Sequence, residues 1–149
     1  MAGELPTEGV VVVGCSRRKA ATTDPVPALD LYQEWFIPQL RSLLGPAGSP
    51  WRDRVLILSA RHGLITADTP LTPYDQRMTA DRANALQSQT RTTLAGHLDL
   101  RPATQALVLL EPLYQEALGD IPVRTVHTFT DPVTDFDAVR RVLNSWSWL

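Results

Sequence analysis

The chain carries four consecutive valines at residues 10–13, inside GVVVVG, with no polar position between them. A run so uniformly apolar predicts a strand covered on both faces. Comparable runs follow at residues 54–60 (RVLILSA), 105–110 and 123–129, each of strand length. Between them the spacing changes to that of helices. Leu29, Tyr32, Phe36, Leu40 and Leu43 fall on one stripe and predict helix over residues 29–44. Pro38 interrupts it, because its ring would clash with the carbonyl of Glu34 and it has no N–H. A short helix to Phe36 and a second opening near Pro38 are expected. A loop follows at residues 45–50, and residues 61–77 read as long and irregular.

Thr79 is placed to cap a helix over residues 80–98, with Asp81 near its positive end. The stripe of Ala83, Leu86, Leu94 and Leu98 is thin, so a broad polar face should meet water. Pro112 opens a short helix that runs to Leu118 and stops at Gly119. Thr134 is expected to cap a last helix whose inward stripe is Phe136, Val139, Leu143 and Trp146. Trp148 and Leu149 add apolar bulk suited to covering the sheet or a homodimer contact.

Strand and helix thus alternate four times, which predicts an α/β fold. The expected form is a three-layer α/β/α sandwich with a four-stranded parallel sheet in the order 2-1-3-4. One domain over residues 1–149 is expected, with residues 1–8 as a flexible N-terminus. Open sheets of this kind bind ligands beyond the carboxyl ends of their strands, where the strand order reverses.

Composition narrows the function without naming it. Of 149 residues, 44% are hydrophobic and 20% charged, as in ordinary globular chains. The net charge of −2 gives no bulk attraction to nucleic acid or an anionic membrane, so neither is an expected partner. Any anion site has to be local. A single cysteine rules out an intrachain disulfide and suits the cytoplasm. The N-terminus lacks the layout of a signal peptide, and no apolar run approaches a membrane span. Three scattered histidines and one cysteine give no metal-ligand spacing, and no cofactor is expected.

The chemistry-bearing residues collect at the predicted strand ends. After strand one come Gly14, Cys15, Ser16, Arg17, Arg18 and Lys19. They read either as a polar strand end facing water or as a nest for a phosphate. Gly14 would allow a sharp turn or a close approach to ligand. Cys15 reads as a packed thiol rather than a nucleophile, since the Cys-x5-Arg phosphatase loop is absent. After strand two, Ser59, Arg61, His62 and Gly63 emerge together, and His62 could serve as acid, base or donor. Tyr74, Asp75 and Arg77 follow in PLTPYDQR, where Tyr74 could pack on a base and Asp75 could activate water. The alternative is a packed tyrosine and a turn-capping aspartate. Glu111 leaves strand three either as a working carboxylate or as a first-turn residue of the short helix. His97, late on an exposed helix, and His127 look peripheral.

The order of these pieces resembles a known family. Strand, Cys-Ser-x-x-Lys, Leu-Tyr, Ser-Ala-Arg-His-Gly-Leu and Pro-Tyr-Asp match the pattern of the DUF6884 group of small bacterial and phage domains over residues 10–78, and more loosely over 105–118. Cys15, Ser16, Lys19, Leu31, Tyr32, Ser59, Gly63, Tyr74 and Asp75 fall on its motif. One departure stands at strand three, where Glu111, Pro112 and Leu113 precede Tyr114 in place of the glycine expected before the tyrosine. The Cys-Ser-x-x-Lys opening also resembles a domain of archaeosine synthases, related to the uracil-DNA glycosylase superfamily. That likeness implies a small nucleoside or nucleotide as ligand and chemistry at an N-glycosidic bond. Ser16, Arg17 and Lys19 would hold phosphate or ribose, Tyr32 and Tyr74 would flank the base, and His62 would donate to the leaving base. Asp75 or Glu111 would be the working carboxylate. A non-catalytic nucleotide-binding or sensing module with the same pocket is the alternative.

Overall fold

The computed structural model describes residues 9–15, 19–33, 36–44 and 50–148. The expected flexible N-terminus at residues 1–8, most of the 45–50 loop, and Ser16, Arg17, Arg18, Glu34 and Leu149 lie outside the described residues. The valine run forms β1 (Gly9–Gly14), whose six residues are all buried. β2 (Val26–Pro27) and α1 (Ala28–Leu31) follow, then α2 (Ile37–Leu44). β3 (Val55–Ser59) is again buried throughout. It continues into β4 (Gly63–Thr66) and the short β5 (Pro70–Leu71). The rest of the chain is α3 (Ala80–Leu100), β6 (Gln105–Leu109), α4 (Pro112–Leu118), β7 (Thr125–Phe129) and α5 (Phe136–Ser145).

The main sheet has five strands in the order β4-β3-β1-β6-β7. β3 and β6 flank β1 in parallel, in register at Val13↔Ile57 and Val13↔Leu109. β7 extends the sheet in parallel, and β4 pairs antiparallel with β3 at the other edge. The expected four-stranded, all-parallel sheet is therefore replaced by a five-stranded mixed one. Its parallel members lie as β3-β1-β6-β7, so the reversal of connection falls between β1 and β6. A separate antiparallel pair, β2 with β5, ties the start of α1 to the 70–71 segment.

Alternate positions of β1 serve opposite faces. Val11 and Val13 pack with α1, α2 and α5, whereas Val10 and Val12 pack with α3 and α4. Helices thus lie on both sides of the sheet. Each fully buried valine contributes roughly 1.5–3 kcal/mol by leaving water, which is why the run tolerates no polar residue.

Four expectations fail locally. The first helix ends at Leu31, not Phe36, because Tyr32 turns extended (φ −82°, ψ 134°) and bridges to Lys19. The long loop after strand two contains β4 and β5, whose four and two residues are too few to show a period. The last helix starts at Phe136, and Thr134 instead closes a turn in which its N–H and hydroxyl both donate to Asp131. Strand four is also an edge: its residues are exposed or half-buried rather than covered on both faces.

Trp148 covers the core within this chain. It is buried, its ring 5.3 Å from Trp146 and 5.6 Å from Trp51. Trp146 in turn packs flat on Gly9, where a Cβ would lie 2.2 Å from its ring. His97 is buried on α3 and not exposed as expected. Among the described residues no helix is long and apolar enough to cross a membrane.

Candidate functional site

Three strand ends converge beside β1. Cys15, the first residue beyond β1, donates its N–H to Leu58 O at 3.1 Å, which continues the pairing with β3. Its thiol, half-buried, lies 3.3 Å from Tyr114 Oη on α4. The thiol packs against both core layers, so the structure places it where a packing role is served. Burial, then the neighbouring Cys15, pushes the Tyr114 hydroxyl well above the ordinary tyrosine range. Gly14 ends β1, paired with Leu58 of β3.

At the end of β3 the chain turns back at once. Ser59 is fully buried, and its Oγ accepts the amides of Arg61 (3.2 Å) and His62 (3.1 Å). Gly63 completes the hairpin at φ +76°, a conformation costly for any residue with a Cβ. Gln89 on α3 then clamps the next residue, accepting from Leu64 N (3.1 Å) and donating to Leu64 O (3.3 Å).

Tyr74 is brought onto this turn from the Pro-Tyr-Asp segment. Its Oη lies 2.6 Å from Ser59 Oγ and 2.5 Å from Tyr32 Oη. Around its ring stand Lys19 Nζ at 4.4 Å, the His62 ring edge-on at 5.0 Å and the Arg61 guanidinium carbon at 5.9 Å. Lys19 Nζ is also 5.8 Å from the Tyr32 ring. The Cys-Ser-x-x-Lys and Pro-Tyr-Asp motifs, 55 residues apart from Lys19 to Tyr74, therefore meet at one aromatic ring. Burial pushes Tyr32 up to about 12, with the nearby Cys15 adding to it. Tyr74 is raised further, by burial first and then by Cys15 and Tyr32. The His62 pKa is lowered, by partial burial first and then by the positive charges of Arg61 and Arg82, which favours the neutral imidazole.

The remaining expected residues stand at the rim. Asp75 follows Tyr74, is exposed, and has no side-chain hydrogen bond among the described residues. Arg77 is exposed as well. Glu111 sits at the N-cap of α4 without capping it through its side chain. Ser16 and Arg17 lie outside the described residues. No three His, Cys, Asp or Glu side chains cluster as metal ligands would, among the described residues.

Arg82 was not among the expected residues. Its Nε donates to Ala60 O at 2.7 Å and its Nη2 to Arg61 O at 2.6 Å, which fixes the turn that carries Ser59, Arg61 and His62. A signal was present, because Arg82 is the third residue of a helix, where the dipole disfavours a cation unless it serves elsewhere. A groove of about 490 Å³ lies between α4 and β7, lined by Val108, Leu118, Ile121 and Val126 among others, and shares no residue with the Tyr74 cluster.

The molecule is thus a mixed α/β protein with a polar, cation-flanked aromatic cluster at the carboxyl ends of β1 and β3. By match to its family model over residues 10–143, the chain belongs to DUF6884, a family of unknown function. No curated protein and no solved structure matches it.

Proposed function

We propose that the Tyr74 cluster holds a small nucleoside or nucleotide and acts at its N-glycosidic bond. The observation that carries this reading is the Tyr74 ring flanked by Lys19 and Arg61. An aromatic face offers stacking to a base, and the two cations offer charge to a phosphate. The cluster also lies beyond the carboxyl ends of β1 and β3, the side of the sheet on which α/β folds bind ligands, one strand away from the reversal between β1 and β6. His62, whose neutral form is favoured by its surroundings, donates an N–H to the departing base. Asp75 reaches solvent and activates water or stabilises an oxocarbenium-like sugar. The likeness of Cys-Ser-x-x-Lys to archaeosine synthases and, more distantly, to the uracil-DNA glycosylase superfamily agrees with that chemistry. The single thiol suits a reducing cytoplasm.

The test is release of free base from a panel of ribo- and deoxyribonucleoside monophosphates, followed by chromatography. Release that falls at least 100-fold in Asp75→Asn is expected. No release from any substrate by folded protein would sink the reading.

One observation favours a second reading, a binding or sensing module without turnover. Asp75 and Glu111 are both exposed, and neither side chain has a hydrogen-bond partner among the described residues. Working carboxylates are commonly held and partly desolvated. This reading expects ligand-induced thermal stabilisation with no product.

A further inference from the structure

The hydroxyls behind the Tyr74 ring do not balance as hydrogen bonds. Ser59 Oγ accepts two amides, from Arg61 and His62, which occupy both of its lone pairs. Its own proton must therefore go to Tyr74 Oη, 2.6 Å away. Tyr74 Oη and Tyr32 Oη, 2.5 Å apart, share one further link. Three oxygens thus bring three protons to two links, and one proton is left over. It sits on Tyr32 if Tyr74 donates to Tyr32, and on Tyr74 if the donation runs the other way. Among the described residues neither hydroxyl makes a further hydrogen bond at ordinary distance, although Ser59 also lies near enough to Tyr32 to lower its pKa.

Such a surplus donor is unusual away from water. Tyr32 is fully buried and Tyr74 half-buried, and buried donors nearly always have an acceptor. The surplus lone pairs of the two phenols cost less, since under-satisfied oxygen is the commoner exception. Lys19 and Arg61 beside the same ring favour an electronegative atom there. Both tyrosines keep their protons at neutral pH, because burial holds Tyr32 near 12 and Tyr74 higher.

We propose that the Tyr32–Tyr74 hydroxyl pair is a ligand contact that donates one hydrogen bond through Tyr74, the less buried of the two, and that it selects an oxygen acceptor, either a base carbonyl or a phosphoryl oxygen. The inference rests on the nucleotide reading only for the identity of the ligand that carries the oxygen. Ser59 sets the direction of donation by spending its lone pairs on the turn. The pair then offers a ligand a neutral donor at a fixed point beside two cations.

Calorimetry on the full chain tests this with the four common ribonucleosides, their 5′-monophosphates and inorganic phosphate. Tyr32→Phe and Tyr74→Phe each remove one hydroxyl with little change of shape. At least one probe should bind the wild type, and Tyr74→Phe should bind it at least tenfold more weakly with an unfolding temperature that shows a retained fold, whereas Tyr32→Phe, which leaves Tyr74 its proton, should bind it more strongly than Tyr74→Phe does. Binding of a nucleoside without phosphate assigns the acceptor to the base carbonyl, and binding of inorganic phosphate assigns it to the phosphoryl group. Affinity within twofold of wild type in folded Tyr74→Phe overturns the proposal, as does the absence of binding by every probe. Loss of binding in Tyr74→Phe without base release by the wild type defeats the glycosidic reading alone. Base release that neither variant weakens does the reverse.

Discussion

Lys19 Nζ stands 4.4 Å from the centroid of the Tyr74 ring, although the two residues belong to different motifs and different loops. The contact depends on backbone pairing, because Lys19 is held by its bridge to Tyr32 and Tyr74 by its hydroxyl link to the same tyrosine. A cation over an aromatic face gains roughly 0.5–2 kcal/mol, and in the nucleotide reading proposed above the same cation faces the ligand's phosphate.

Lys19→Ala should therefore discriminate between ligands. Affinity for a nucleoside monophosphate should fall about tenfold or more, near the value of one charge-assisted hydrogen bond. Affinity for the corresponding nucleoside should change much less. Calorimetric titration of both ligands measures the difference, and an equal loss for the two would remove Lys19 from phosphate binding.

Arg82→Ala should loosen the turn on which Ser59, Arg61 and His62 depend. The guanidinium makes two short bonds, to the carbonyls of Ala60 and Arg61. Hydrogen bonds from charged groups are worth roughly 1.5–3 kcal/mol each, less where water can replace the donor. Ala60 is buried and Arg61 exposed, so the first bond should dominate. A loss of about 2 kcal/mol in urea-unfolding stability is expected. Arg82→Lys, which supplies one donor point in place of a fork, should recover only part of it. Full recovery by lysine would show that charge alone matters here.

How far the chain could be read before its structure depended on the length of each signal. β1 and β3 announce themselves through four consecutive buried aliphatic residues each. β4 has four residues and β5 two, and neither length carries a legible period. Tyr32 misled for another reason. It faces the core at helical spacing from Leu29 and Phe36, yet its backbone is extended, because burial reports the face and not the dihedral angles. In the site, Lys19, Tyr32, Ser59 and Tyr74 were legible as side chains in motifs. Arg82 and Gln89 were not, because they act on backbone groups of a hairpin that was itself unseen. The surplus proton of the tyrosine pair could be found only from distances.

Gly9→Ala should be among the most destabilising small substitutions in the fold. A Cβ there would stand 2.2–2.5 Å from three atoms of the Trp146 ring, inside any allowed contact. The indole cannot simply swing aside, since its Nε1 donates to Gln105 Oε1 at 3.1 Å and Trp148 packs against it. Overpacking of this kind costs roughly 1–3 kcal/mol. The double variant Gly9→Ala/Trp146→Leu should be less destabilised than the sum of its parts. Additivity within about 0.5 kcal/mol in chemical denaturation would place the two residues out of contact.

His97 gives the protein a pH dependence of predictable sign. The imidazole is buried on α3, and its Nε2 has no hydrogen-bond partner among the described residues. Burial pushes its pKa down to about 4, the positive charges of Arg101 and Arg54 add to the fall, and Asp53 offsets part of it. In the unfolded chain the same group titrates near 6.5. Between these values the unfolded state binds the proton and the folded state does not, so stability rises with pH. The contribution is complete above about pH 6.5 and is lost as the pH falls towards 4, with a slope of at most about 1.4 kcal/mol per pH unit. After allowance for solvent screening, the full effect is on the order of 2 kcal/mol. His97→Leu should remove this part of the slope and leave stability at pH 7 equal or higher, because a partnerless polar atom is exchanged for apolar contact. Urea-unfolding free energies of both proteins at pH 7.0, 5.5 and 4.5 decide the matter. Equal slopes for wild type and variant would show that His97 is not the group that couples folding to protons.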